Sequence, residues 1–194
     1  MTSMPRRVLV AYATRHGSTH RIATTVCGIL RDAGVDADCR SVGEVDSIAP
    51  YGAVILGSAM YMDTWQVDAV RLLRRHLDVL AERPLWLFSG GPLTDPPAVE
   101  APLPSRPEDL EDLAVAAGAR GHVVFGGRPA TQAAGTEQAG AETAAEGAGP
   151  AGDFRDWDVI TEWAQSMVPK LLAALPAAGA DTPGGAPKGG ASST

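Results

Sequence analysis

Short apolar runs alternate along the chain with longer stretches whose apolar residues recur at helical spacing. Residues 7–13 (RVLVAYA), 53–57 (AVILG), 85–89 (LWLFS) and 121–125 (GHVVF) are apolar at most positions, and residues 36–42 form a shorter, more polar run that suits a strand near a sheet edge. Strands covered on both faces read as continuous apolar runs, whereas a strand with one wet face alternates. Between the first two runs, Ile22, Val26, Ile29 and Ala33 fall at i, i+4, i+7 and i+11, one stripe of a helix over residues 19–33, and Gly34 follows as a stop signal. Residues 43–50 leave room for a single helical turn. Residues 65–81 place Val67, Val70, Leu73, Leu77 and Leu80 on one side and predict a second long helix. The run Ser105-Arg-Pro-Glu108 has the spacing of a capping box, opening a helix that ends near Gly118. Ile160, Ala164, Met167, Leu171 and Leu175 predict a last helix over residues 157–175, with Asp156 and Asp158 favouring its N-terminus. Trp65, Trp86, Trp157 and Trp163 fall within these patterns and read as core or boundary residues.

Five strands alternating with amphipathic helices predict an α/β fold, a doubly wound five-stranded parallel sheet with helices on both faces. Such sheets take ligands beyond the carboxyl ends of their strands, at the switch point of the winding, so the loops after the first, third and fourth strands are where chemistry is expected. Residues 130–152 have no aromatic and no side chain larger than Gln or Glu. They bury too little apolar surface to offset the entropy of ordering, and are expected to form a mobile loop within a domain spanning residues 6–175. Ala and Glu would favour a partial helix there, but the glycines at 135, 140, 147 and 149 oppose it. Residues 176–194 read as a Pro/Gly/Ala/Ser tail.

The net charge of −7 argues against a nucleic-acid surface, which needs clustered Lys and Arg. No run approaches the ~20 apolar residues of a membrane span, and the short apolar run after Arg6 and Arg7 does not make a signal peptide. Cys27 and Cys39 are too few for a disulfide framework and lack metal-ligand spacing. They read as buried thiols, and the expected compartment is a reducing cytoplasm. No Ser/His/Asp triad or cluster of metal ligands stands out; His76 and His122 read as structural.

The chemistry concentrates in the loop after the first strand, "YATRHGST" at positions 12–19. A loop that leaves a parallel strand and enters a helix meets the helix's unpaired amides and the positive end of its dipole. Thr14, Ser18 and Thr19 add hydroxyls, Gly17 lets the backbone close without a Cβ in the way, and Arg15 offers a charge-assisted bond; His16 reads as a solvated loop side chain. The loop has no lysine and one glycine, so it fits neither the triphosphate loop nor the dinucleotide fingerprint. It suits a monophosphate; the alternative is a hydroxyl-capped helix start that binds nothing.

The segment "YATRHGSTHRIA" (residues 12–23) resembles the phosphate loop of flavodoxins. Its Tyr-x-Thr-Arg-x-Gly-x-Thr-x-x-Ile-Ala spacing is most similar to that of the bacterial quinone-dependent protoporphyrinogen dehydrogenases. "YGAVILGSAMYMDTW" (51–65), "LFSGGPL" (87–93), "VVFGGRP" (123–129) and "DFRDWDVITEWA" (153–164) resemble, in order, the third strand with its loop, the fourth strand with its loop, the fifth strand and the last helix of that family. The resemblance covers roughly residues 6–175. It implies a flavin mononucleotide (FMN) cofactor whose phosphate is held by Thr14, Arg15, His16, Gly17, Ser18 and Thr19. It implies that Ser58, Ala59, Met60 and Tyr61 line one side of the flavin ring, with Tyr61 as the stacking candidate, and that Ser89, Gly90, Gly91 and Pro92 line the other. It further implies electron transfer with a redox partner protein, a quinone or a porphyrinogen, the last placing the protein in haem biosynthesis. The chain departs from the dehydrogenases at residues 130–152, where they are rich in aromatic and basic residues and this sequence has alanine, glycine and three glutamates.

Overall fold

The structure, a computed structural model, describes residues 5–91, 98–99, 101–126 and 155–176. The loop at 130–152, Pro92 and nearly all of the tail lie outside the described residues. Five parallel strands form the sheet: β1 (Val8–Ala13), β2 (Ala37–Ser41), β3 (Ala53–Tyr61), then, after a two-residue strand β4 (Thr64–Trp65), β5 (Leu85–Gly91) and, after another, β6 (Ala98–Val99), β7 (Ala119–Gly126). Their spatial order is β2-β1-β3-β5-β7-β6. The doubly wound parallel sheet is therefore present, with the polar strand β2 at its edge. Two short antiparallel strands were not legible in the sequence: β6 extends the sheet beyond β7, and β4 folds back on β3.

Side chains that alternate along the strands divide the interior into two layers. Val8 and Val10 face Ile22, Val26 and Leu30 of α1 (Ser18–Asp32) on one side of the sheet. Leu9, Ala11 and Ala13 face the opposite side, with Val70 and Leu73 of α2 (Val67–Arg75), Leu80 of α3 (Leu77–Leu80) and Leu110 of α4 (Leu110–Ala116). The first layer is closed by Ile160, Ala164, Met167 and Leu171 of α5 (Trp157–Ala174), at the helical spacing read from the sequence. Gly34 and Gly118, at φ +83° and +67°, take the left-handed backbone that follows α1 and α4.

Two local expectations fail, for identifiable reasons. The predicted helix over 65–81 is two helices interrupted at His76, and its first predicted residue, Trp65, belongs to β4 and is 1% exposed. Val67, assigned to the apolar stripe, is 60% exposed, because the buried face of α2 is Ala69, Val70, Leu72 and Leu73. Ser105 does not cap α4, whose N-cap is Asp109 without a side-chain bond. Its amide donates instead to Asp63 Oδ2 at 3.0 Å, and its hydroxyl donates to the same oxygen. A capping box does form at Ser41 and Glu44, around the single 3₁₀ turn Val42–Glu44.

Candidate phosphate and ring loops at the carboxyl edge of the sheet

The register of the parallel strands brings Ala13, Ser58, Ser89 and Val124 into one row. The loops after β1, β3 and β5 therefore leave the sheet side by side. In the first, the Thr14 hydroxyl accepts from the Gly17 amide at 3.0 Å and closes the turn. Gly17 sits at φ +81°, a backbone conformation that strains any residue with a Cβ, although no atom within 4 Å would block one. Its carbonyl accepts from the Arg21 amide at 3.2 Å and starts α1. Among the described residues no side chain caps this helix, so its first-turn amides stay open at the positive end of the dipole. Arg15 and His16 are exposed, and Thr14 and Ser18 half-buried. Thr19 is different. It is fully buried, yet its hydroxyl has no hydrogen-bond partner among the described residues. Buried hydroxyls are seldom left this way, and one at an uncapped helix start is what an incoming anion would satisfy.

The three loops touch through these residues. A Cβ at Gly90 would lie 3.3 Å from Thr19 Oγ1, so the phosphate loop and the end of β5 are in near contact. A Cβ at Gly91 would lie 2.3 Å from Met60 Cε, so the Met60 side chain reaches over the next residue of the same strand end. Glycine at both positions is what lets the neighbours approach. Ala59 is half-buried, while Tyr61 is 54% and Met62 76% exposed at the tip of the β3–β4 hairpin. The turn places Met62 and Asp63 at φ 48° and 56°, both left-handed, as a two-residue type I′ hairpin requires. Residues 105–106 fasten it: Arg106 N donates to Asp63 O at 3.2 Å and Trp65 N to Arg106 O at 3.1 Å. The two bonds from Ser105 hold the Asp63 carboxyl below its ordinary pKa.

Ser58 and Ser89 are both buried with their hydroxyls engaged inside the fold. Ser58 Oγ accepts from the Gln66 amide at 2.9 Å and donates to Ala59 O at 3.0 Å, closing the base of the hairpin. Ser89 Oγ stands between Trp65 Nε1 at 2.7 Å and His122 Nε2 at 2.8 Å, and His122 Nδ1 lies 3.0 Å from Ala101 O. The indole can only donate, so the serine proton goes to His122 Nε2, and the ring carries its own proton on Nδ1 toward Ala101. Burial, first of all, keeps this imidazole below its usual pKa, against the opposing carbonyl bonds. The relay ties β4, β5 and β7 together beneath the ring loops. Neither Trp65 nor His122 was assigned to the site from the sequence; only the fold brings them to Ser89.

Outside the loops, Arg15, Tyr61, Met62, Gln66 and Arg106 line a pocket of about 600 Å³. Among the described residues no group of His, Cys, Asp and Glu could hold a metal ion, and no helix is long and apolar enough to cross a membrane. The Cys27 thiol is buried and Cys39 is half-buried; neither forms a disulfide. They share a hydrogen bond that, with burial, pushes Cys27 well above the ordinary thiol value.

A parallel sheet in this order, with a helix start free of a side-chain cap after β1, has the architecture of the flavodoxin-like class. The flavodoxin domain family matches residues 9–132, and the chain belongs to that family. Among solved structures, the flavodoxin of Streptococcus pneumoniae TIGR4 is similar at a TM-score of 0.54 and 16% identity, over 87% of this chain and 99% of that one. Rubredoxin oxygen:oxidoreductase from Desulfovibrio gigas gives 0.58 and 14%, over 90% of this chain. The flavodiiron protein of Giardia intestinalis gives 0.57 and 14%, over 87%. This chain spans 38% and 37% of the lengths of those two proteins. At such identities the likeness is one of fold. A search of curated protein sequences found no match.

Proposed function

We propose that this protein binds FMN at the carboxyl edge of its sheet and passes electrons between a donor and an acceptor. The observation that carries the reading is the buried, unpartnered Thr19 hydroxyl at an uncapped helix start, set against Gly90. The residues fit the cofactor. The open amides of α1, the Thr19 hydroxyl and the exposed Arg15 would hold a phosphate dianion, with Thr14 keeping the loop closed around Gly17. Ala59, Met60 and Tyr61 on one side, and Gly90 and Gly91 on the other, would flank the ring. Ser58 and Ser89 would act through the backbone they anchor, since their hydroxyls are already engaged. FMN supplies the redox chemistry when bound, and the polypeptide supplies position and a dry wall on one side.

The glycines Gly90 and Gly91 at the end of β5 stand where many flavodoxins carry an aromatic, and the adjoining pocket carries Arg15 and Arg106 beside Tyr61. This favours a second reading in which a small acceptor, a quinone or a porphyrinogen, enters next to the cofactor, as in the protoporphyrinogen dehydrogenases and haem synthesis. The cytoplasm is the compartment that suits either reading.

Purified protein titrated with FMN tests the first reading through the visible flavin bands and the quenching of flavin fluorescence. Saturable binding at micromolar ligand is expected; no quenching and no thermal stabilisation would overturn it. Turnover of a quinone by the loaded protein, without any protein partner, would decide for the second.

A further inference from the structure

We propose that His122 is a positioning residue for the flavin ring: with its imidazole neutral it fixes, through Ser89 and Trp65, how the β3–β4 hairpin sits over the end of β5, an inference that rests on the FMN reading above. The parallel ladder joins β3 to β5 as far as Ala59 and Gly90. Beyond it the chain turns into the hairpin, where Met60 pairs with Trp65 on the returning strand. The Trp65 indole donates to Ser89 Oγ at 2.7 Å, and Gly90 and Gly91 follow Ser89 along β5. Met60 meets this strand end again, since a Cβ at Gly91 would lie 2.3 Å from its Cε. The hairpin that carries Tyr61 and the two glycines that would flank the ring are thus tied through one serine. His122 Nε2 holds the far side of that serine at 2.8 Å. His122 is itself held twice by Ala101: its Nδ1 lies 3.0 Å from the Ala101 carbonyl, and its own carbonyl accepts from the Ala101 amide at 3.1 Å. Trp65, Ser89 and His122 are all buried, so exposed solvent does not compete for these bonds.

Apolar side chains of similar size would fill the same space without fixing a direction, whereas a buried polar relay is satisfied in one arrangement. Here the indole donates to Ser89 and Ser89 donates to the neutral imidazole. A proton on Nε2 makes the ring a second donor toward Ser89, and the serine's own proton is then left without an acceptor among these groups. The serine must turn, and the hairpin loses its fixed seat. Among the described residues no charged side chain faces the imidazole. The groups that meet it are Ser89 of β5, Trp65 of β4, with ring centroids 6.3 Å apart, and the carbonyls of Ala101 and Pro102. Glu111 and Asp112 of α4 are exposed, Asp109 is paired with Arg74, and Asp63 of the hairpin is held by Ser105. Arg120, on the same strand, lies over Trp86 in the other layer. The proton on Nε2 is therefore opposed by burial, without a carboxylate to favour it.

The test follows the FMN affinity of the full chain by fluorescence quenching, from about pH 7.5 to about pH 5 and well below the unfolding temperature. Ser89→Ala removes the hydroxyl at the centre of the relay and is expected to weaken FMN about fivefold or more at the upper end of the range. His122→Gln offers an amide oxygen to the Ser89 hydroxyl and does not titrate. At the upper end it is expected to bind FMN within about threefold of wild type. As the pH falls, wild type should lose a further factor of about three or more relative to His122→Gln. The FMN phosphate also titrates, near about pH 6, but equally in both proteins, so the ratio of their dissociation constants isolates the imidazole. A merely structural role would lower the Tm of the variants and leave that ratio flat. A flat ratio, or Ser89→Ala binding as wild type does, would overturn the role of His122 while leaving the FMN site intact. A wild-type chain that binds no FMN at any pH overturns both readings. Should Ser89→Ala not fold, the pH course of the ratio for His122→Gln decides alone.

Discussion

Thr19 and Gly57 show how much a single position can carry. Because the Thr19 hydroxyl bonds to nothing among the described residues, Thr19→Val removes a buried polar atom without orphaning a partner there. The variant should keep or slightly gain thermal stability and lose FMN affinity by about tenfold or more, the worth of a hydrogen bond to a charged group. Equal affinity in calorimetric titrations would mean that the hydroxyl faces away from the ligand. Gly57 lies beside Phe88 in the register, and a Cβ there would sit 1.9 Å from Phe88 Cζ. Phe88 is packed among Phe125 and Trp163, so it has little room to yield. Gly57→Ala should cost about 1–3 kcal/mol in denaturant unfolding, through overpacking. His122 contributes a pH dependence of its own. Its folded pKa is depressed, mainly by burial, so below the unfolded value of 6.5 the unfolded chain binds more protons than the native one. This group's effect is absent well above 6.5 and destabilises the fold as pH falls toward the lower native value. His122→Gln should therefore flatten the decline of Tm between pH 7.5 and 5.5, values chosen to lie about one unit either side of a free imidazole. Parallel declines in both proteins would assign the acid sensitivity to other groups.

The β3–β4 hairpin and its staple are the elements that sequence periodicity obscured. Trp65 reads as the first residue of the helix that follows, and Val67 joins its apolar stripe. The left-handed turn puts Met62, which seldom adopts that conformation, before Asp63, which tolerates it, so the usual turn signal of Asn-Gly or Asp-Gly is missing. Met62 is 76% exposed, so Met62→Gly should relieve its backbone strain and stabilise the protein by up to about 1 kcal/mol, a gain visible as a Tm rise of a few degrees. A fall in Tm would show that the methionine packs on something when the chain is in solution. Ser105 illustrates the same limit from the other side: its spacing to Glu108 fits a helix cap, but Asp63 competes for its hydroxyl and wins through a second bond to the amide. By contrast α1 and α5 begin and end close to where their patterns say, because local stripes and caps are enough to define them.

The molecule joins its loops through strands that are distant in sequence, so a ligand bridging them should stabilise the whole. FMN at a hundredfold excess over its Kd is expected to add about 2.7 kcal/mol to the unfolding free energy, and Thr19→Val should reduce that gain at the same concentration. Thermal melts with and without ligand measure both. A stabilisation that the variant leaves untouched would place the ligand elsewhere.

Hydrophobic periodicity by itself determined the strand and helix alternation, the parallel sheet and the edge position of β2, because burial on two faces or one leaves its mark on each segment separately. The loop after β1 stands out in the sequence as a candidate anion site, since hydroxyls and a glycine lie between a buried strand and a helix, a pattern that plain helix capping also uses. Only the tertiary structure decided which side chains are spent inside the fold: Ser58 and Ser89 look like ligand contacts in a linear reading and are held by Gln66, Trp65 and His122 in space. It alone left Thr19 without a partner among the described residues and brought Arg155 to Ser18. Hydrogen bonding is settled by which donors and acceptors meet at about 3 Å, and residues that meet across such long stretches of chain leave no local pattern to read.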